Sequence, residues 1–328
     1  MPRDRFGREI DYLRISLIDH CNLRCVYCMP LTAASFHQKS DLLTPSEIET
    51  VARAALAVGF RRIRLTGGEP TLRADLVEIV ARLAPIPGLR DLALTTNGVL
   101  LPRLAPGLAA AGLRRVNIHL DTLDPERLAR VMRWGTLAEI WAGIMAAEAA
   151  GLRPIKLNAV VTRGFNDEDV TDLAALTRER DWHVRFIELM PLGVGEPAEV
   201  SRRAYVPSAE SRCRIETVLG RLEAEPLSNP SDESRNYHLP GARGTIGFIS
   251  PVSDPYCGTC NRMRLTADGK FHLCLLNDDE LDVRAALRDG GSAAVAAVLL
   301  RAVGAKPTGH RLEEHRTSER REMFQVGG

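Results

Sequence analysis

The chain has 328 residues, 45% of them hydrophobic, with 43 Lys and Arg against 42 Asp and Glu. That length supports a large core or two domains. A formal net charge of +1 excludes the overall basic field of a nucleic-acid binder. No apolar run is long enough to span a bilayer. The opening Met1-Pro2-Arg3-Asp4-Arg5 has no apolar stretch behind it to make a secretory signal, so a cytoplasmic protein is expected.

Residues 11–18 alternate Tyr12, Arg14 and Ser16 with Leu13, Ile15 and Leu17, the period of a strand. Thr44, Pro45 and Glu47 then open a helix as N-cap, first-turn proline and N3 partner. Ile48, Val51, Ala55 and Val58 continue its apolar face until Gly59. A strand over 61–66 runs into Gly67-Gly68-Glu69-Pro70, and a helix over 74–83, a strand over 91–96 and a helix over 101–111 follow. The strand over 115–120 precedes helices starting at Asp124-Pro125 and spanning 136–150. Next come a strand over 154–161, a helix capped near Asn166 and a strand over 183–189. This repeated strand–helix alternation predicts a parallel sheet with helices outside, either open or barrel-like. The pattern breaks at 191–197, where Gly and Pro predict a linker. A helix over 208–221 and short strands over 237–239, 244–249, 262–266 and 270–275 come next, with Ala267-Asp268-Gly269-Lys270 as a tight turn between the last two. Helices over 283–288 and 292–303 precede a charged tail, 306–321, predicted to be loosely ordered in part.

Six of the seven cysteines fall into two tight triplets. In a long chain that pattern reads as metal binding in a reducing compartment, not as a disulfide framework. Cys21, Cys25 and Cys28 form C-x3-C-x2-C; Cys257, Cys260 and Cys274 form C-x2-C-x13-C. Thiolates bind iron–sulfur clusters and soft metals, and three thiolates on a cubane leave one iron open to a small molecule. The alternative is zinc, closed by His20 or His37 at the first triplet and by His272 at the second. Cys213 stands outside both and is expected to be a buried structural thiol. Arg262 and Arg264 are two apart on a predicted strand and so share a face. With Arg14, Arg64 and Lys156 they could gather at one side of the sheet as a polyphosphate site.

The first triplet, with Tyr27 in its aromatic slot, resembles the signature of the radical S-adenosylmethionine superfamily. The resemblance narrows to the GTP 3′,8-cyclase family at Cys257-Gly258-Thr259-Cys260-Asn261-Arg262, followed by Arg264-Leu265-Thr266 and Cys274. It extends over nearly the whole chain: Tyr12-Leu13-Arg14-Ile15-Ser16, Ile63 to Pro70, Thr95-Thr96-Asn97-Gly98, Lys156 to Val160, Phe186 to Pro191 and the terminal Gly327-Gly328. The fold this implies is an incomplete (β/α)6 TIM-like barrel over 1–190, with a C-terminal α+β extension over 191–328 carrying a second cluster and the Gly-Gly tail.

The implied activity is a lyase that performs the first step of molybdenum cofactor biosynthesis. It makes (8S)-3′,8-cyclo-7,8-dihydroguanosine 5′-triphosphate from GTP after a 5′-deoxyadenosyl radical takes the ribose 3′ hydrogen. The implied cofactors are two 4Fe–4S clusters, on Cys21, Cys25 and Cys28 and on Cys257, Cys260 and Cys274, and S-adenosylmethionine held by Tyr27, Gly68, His119 and Met190. His119 stands where many relatives carry Ser. GTP would meet Arg14, Arg64, Thr95, Lys156, Arg262, Met263 and Arg264, and the catalytic group would be Arg14, Arg262, Arg264, Gly327 and Gly328. The implied partners are an external one-electron donor, a second copy in a homodimer, and cyclic pyranopterin monophosphate synthase downstream, with no nucleic acid and no membrane. Two other readings stay open: a radical S-adenosylmethionine enzyme that modifies a peptide, and a zinc-binding protein without catalysis.

Overall fold

In the computed structural model, which describes residues 1–32, 34–227, 229–314 and 317–327, the alternation of residues 11–18 becomes strand β1 (Tyr12–Ser16). Leu13 and Ile15 enter the helix-covered core, while Arg14 on the opposite face lines a cavity. Strands β2 (Arg62–Thr66), β3 (Asp91–Thr96), β4 (Arg115–His119), β5 (Lys156–Val161) and β6 (His183–Glu188) follow, each parallel to the one before. The capping box predicted at Thr44 starts the helix Pro45–Ala57: Thr44 N–H donates to Glu47 Oε2 at 2.8 Å, and Glu47 N–H to Thr44 Oγ1 at 3.3 Å. Ile48, Val51 and Ala55 are its buried face, as the spacing required.

The remaining strands are β7 (Glu223–Ala224), β8 (Arg235–His238), β9 (Thr245–Ile249), β10 (Arg262–Leu265), β11 (Lys270–His272) and β12 (Glu280–Asp282). They extend the same sheet at both sides, in the order β12-β11-β10-β1-β2-β3-β4-β5-β6-β9-β8-β7. β10 lies parallel on β1 and β9 parallel on β6, so the six repeats gain a parallel strand at each edge. Antiparallel pairs finish both ends, and β12 and β7 remain edges of an incomplete barrel. The turn predicted at 267–270 joins β10 to β11, with Gly269 at φ +81°.

Three expectations change. The segment 191–197 is not wholly a linker, because the helix Gly195–Arg203 begins inside it. Pro197 lies in its first turn, where a missing N–H removes no helical bond. The charged tail is tied down at both ends among the described residues: Lys306 is buried, with Nζ donating to the Leu273 carbonyl at 2.8 Å. Arg321 pairs with Asp268 at 2.9 Å and Glu280 at 2.7 Å. Cys213 is exposed on the helix Ser208–Leu219, not buried. No helix among the described residues is long and apolar enough to cross a membrane.

Candidate active site

The two thiol triplets sit at opposite ends of the barrel. Cys21, Cys25 and Cys28 follow β1, at the C-terminal ends of the parallel strands, where open α/β sheets and barrels carry their sites. Cys260 precedes β10, which is parallel to β1; Cys274 follows β11, which is antiparallel to β10. Both therefore lie at the N-terminal ends. At about 3.3 Å per residue, one strand length, roughly 13–17 Å, separates the two groups. One cavity touches all six thiols, along with Gly67, Gly68, Thr95, Met190, Arg14, Arg64, Arg262 and Arg264.

The first loop is tightly built. Leu23 N–H donates to Cys21 Sγ at 3.3 Å, and Arg24 Nη1 to the Cys21 carbonyl at 2.7 Å. Gly68 N–H reaches the Ile18 carbonyl at 2.6 Å and Glu69 N–H the His20 carbonyl at 2.7 Å, which binds the Gly-Gly turn to the cysteine loop. A Cβ on Gly68 would stand 2.5 Å from the Asp19 carbonyl oxygen, so only glycine permits this approach. Buried Glu69 accepts from Thr96 Oγ1 at 2.7 Å and Asn97 N–H at 2.7 Å, fixing the end of β3 against the same turn.

Burial and Glu69 push Cys21 up to about 12, and burial with Cys25 and Cys21 holds Cys28 well above the usual thiol range. Cys21 and Cys28, each opposed by burial and by a neighbouring thiol, become thiolates together only around a cation, and iron would be one. Among the described residues no three His, Cys, Asp or Glu side chains converge on a single-ion site. A cubane needs no such convergence, because each iron takes one thiolate. At the other end, burial opposes ionisation of Cys260, but Arg262 and Lys306 pull it down to about 6. Cys257 is lowered by His310 in spite of burial. Arg8 braces this loop, donating to the Cys257 carbonyl at 2.8 Å and the Pro307 carbonyl at 2.6 Å. Of the histidines weighed as zinc ligands, His20 bonds Asp19 and stacks on Phe36, His37 lies 3.9 Å from Asp268, and His272 bonds Glu280 at 3.1 Å.

Between the triplets the inner face is cationic. Arg264, Arg14 and Arg64 are register neighbours across β10, β1 and β2, with Arg262 one pleat below. Lys156 on β5 comes from the opposite part of the sheet. The sequence reading did not single out Arg185 on β6, which shares this interior; the signal was strand alternation, with Val184 and Phe186 turned to the core and Arg185 on the face of Ile187, which lines the cavity. Arg14 Nε, Arg64 Nε and Arg185 Nη2 are buried without a hydrogen-bond partner, which marks a place built for an anion. Met263 is placed differently from expectation: it is fully buried in the core on the other face of β10, because neighbours on a strand alternate. Only its backbone borders the arginines.

His119 lines the cavity, with Nε2 2.6 Å from Tyr27 Oη and 3.0 Å from Asp121 Oδ2. Burial would lower this imidazole, but Asp121 outweighs burial and lifts it to about 10. Tyr27 Oη also donates to Asp121 Oδ2 at 2.6 Å, so Tyr27 and His119 are held as a unit beside the first thiols. Gly327 is buried, its carbonyl accepting from Arg264 Nη1 at 2.5 Å. Gly328 lies outside the described residues.

Lys156 gives this site a pH dependence. Burial, with Arg185, Arg115 and Arg64 nearby, brings its amine down to about 7. A bound polyphosphate would return it toward its usual value, so above about pH 7 binding must take up a proton. Tripolyphosphate binding is therefore expected to weaken as pH rises from about 7 to 9. Calorimetry in two buffers of unlike ionisation enthalpy reads the uptake; a Lys156→Met variant with the same uptake as the parent would remove Lys156 from the explanation.

The Radical SAM superfamily profile matches residues 15–177, and the Molybdenum Cofactor Synthesis C profile matches residues 182–312. The chain is 49% identical over 327 residues to a GTP 3′,8-cyclase of Moorella thermoacetica, covering 99% of this chain and 100% of that one. It is 47% identical to a GTP 3′,8-cyclase of Pelotomaculum thermopropionicum, again over 99% of this chain and 100% of the relative. Among solved structures, SuiB of Streptococcus suis bound to S-adenosylmethionine shares the fold, with a TM-score of 0.62 at 15% identity. That match covers 84% of this chain and 63% of the longer SuiB chain.

Proposed function

Because the chain belongs to the GTP 3′,8-cyclase family of radical S-adenosylmethionine enzymes, we propose that it converts GTP to (8S)-3′,8-cyclo-7,8-dihydroguanosine 5′-triphosphate, the first step of molybdenum cofactor biosynthesis. The observation that carries this reading is the cavity itself: two thiol triplets one strand length apart, with a buried cation cluster between them. A nucleoside triphosphate spans such a gap, with its phosphates on the arginines and its base toward one end.

Cys21, Cys25 and Cys28 would hold one 4Fe–4S cluster, and Cys257, Cys260 and Cys274 a second. When bound, the first cluster would supply the electron for reductive cleavage of S-adenosylmethionine, and so radical chemistry at the ribose 3′ hydrogen, and the second would offer guanine a Lewis-acidic iron. Electrons come from an external one-electron donor, and the product passes to cyclic pyranopterin monophosphate synthase; the working assembly is a homodimer.

The protein's own residues do the positioning. Gly67 and Gly68 line the cavity beside the first thiols, where S-adenosylmethionine would lie, with Met190 and the Tyr27–His119 pair at its sides. Arg14, Arg64, Lys156, Arg262 and Arg264 fix the triphosphate by charge-assisted bonds, and Thr95 borders the same space. Fixing the triphosphate fixes the ribose, and such orientation can supply roughly 7–11 kcal/mol of a barrier reduction.

The test is an anaerobic assay of reconstituted protein with GTP, S-adenosylmethionine and a chemical reductant. Equal formation of 5′-deoxyadenosine and the cyclised triphosphate is expected. Protein that purifies colourless with stoichiometric zinc, or that yields no cyclised nucleotide, would overturn the reading.

A further inference from the structure

One side chain in the cationic interior has the opposite sign. Glu233 leaves the irregular segment before β8 and enters the barrel. Its Oε2 lies 2.5 Å from Arg14 Nη2 and 2.6 Å from Arg262 Nη1, and its Oε1 3.7 Å from Arg64 Nη1. Burial would raise its carboxyl, but Arg14, Arg262 and Arg64 hold it well below the usual range. The carboxylate thus sits on three of the guanidiniums that the functional reading gives to the substrate's triphosphate.

The segment is shaped to present this one residue. Asp232 N–H closes a turn on the Asn229 carbonyl at 3.0 Å, and Ser231 N–H bonds Asn229 Oδ1 at 2.9 Å. Ser234 Oγ donates to Asn236 Oδ1 at 2.7 Å. Gly247 on β9 makes room for the entry, since a Cβ there would run into Ser234 Oγ. The two bonds at Asn229 stay within residues 229–232, ahead of β8, while the Ser234–Asn236 bond ties the end of the segment to that strand, so the turn can swing from the barrel about its junction with β8.

We propose that Glu233 is an internal stand-in for a substrate phosphate, an affinity-setting residue that occupies the arginines until the triphosphate displaces it and its turn withdraws. This rests on the reading that the triphosphate binds these arginines. A guanidinium edge engaged by a carboxylate cannot also grip a phosphate there, so binding is an exchange of anions. Leaving the arginines bare would strand buried charge. Glu233 spares the empty barrel that state. The more highly charged triphosphate then outcompetes it, while the lost ion pairs weaken apparent affinity for every ligand that needs the seat.

The experiment uses the full chain, anaerobically reconstituted, with GTP and inorganic tripolyphosphate as probes. Glu233→Gln is expected to bind both at least about tenfold more tightly than the parent, because the internal competitor is weakened. Equal or weaker binding by this variant overturns the proposal, and would make Glu233 a ligand of the substrate or a structural residue. A second measurement needs no variant: backbone hydrogen exchange over 229–235 in the parent is expected to accelerate when GTP or tripolyphosphate saturates it. Unchanged or slower exchange there overturns withdrawal of the turn. Failure of the parent to bind GTP while tripolyphosphate still accelerates exchange would sink the guanine nucleotide reading and leave the anion exchange standing.

Discussion

Protein in which Cys21, Cys25 and Cys28 are all replaced by alanine is expected to keep about half of the parent's iron and to release no 5′-deoxyadenosine. The expectation rests on the separation of the two triplets along the barrel axis. Each set is built by different loops: the first by the segment after β1 and its bonds to the Gly67-Gly68 turn, the second by β10, β11 and the Arg8 brace. Removing the first thiols leaves Cys257, Cys260 and Cys274 with Lys306 and His310 beside them. The reciprocal triple replacement should also keep about half of the iron and should still cleave S-adenosylmethionine slowly, but form no cyclised product. Iron analysis and chromatography of the two products read all four outcomes. Release of 5′-deoxyadenosine by the first variant would show that the two triplets have been given the wrong roles.

A single methyl group at Gly327 is expected to lower cyclised product at least about tenfold, the effect of roughly 1.4 kcal/mol on a barrier. Gly327 has φ +80°, and a Cβ there would stand 2.5 Å from Thr66 Cγ2 at the end of β2. The last helical turn, Met323–Val326, is anchored by buried Phe324, whose ring meets Phe36 edge-on at 5.8 Å. With the turn held, strain at Gly327 would shift its carbonyl away from Arg264, which it now holds at 2.5 Å. Iron content and basal cleavage of S-adenosylmethionine should change little in Gly327→Ala, because both thiol triplets are held by loops braced elsewhere. Full product turnover in that variant would return the segment to the status of an ordinary chain end.

Much of the barrel was legible because its signals are local. The alternation of Leu13 and Ile15 with Arg14, the capping box at Thr44 and the glycines after β2 each act within a few residues. The pairing of β10 with β1 was not legible, since nothing within four residues of Arg262 names a partner 250 positions away. The same limit hid the order in the charged tail, where Arg321 finds Asp268 and Glu280 only after folding. Pro197 misled because a breaker inside a helix is a neutral residue in its first turn. In the site, the thiols and the Gly-Gly turn announced themselves by spacing. Alternation along a strand could have turned Met263 away from the cavity and brought Arg185 in. Glu233 had no such signal, lying in irregular backbone whose course is set by Gly247 on another strand.

The placement of β9 and β10 at the two sides of the six repeats bears on how the chain is made. During synthesis β1 and β6 leave the ribosome as naked edges, each with a row of unpaired N–H and C=O groups. β6 waits for residues 245–249, and β1 waits for residues 262–265, about 250 positions after its own emergence. At roughly 5–20 residues per second, that interval lasts between about 10 and 50 seconds. For its length, the first cysteine loop hangs from a strand able to pair with any neighbouring chain. Translation speed then sets how long that edge stays open, independently of any residue in the cavity.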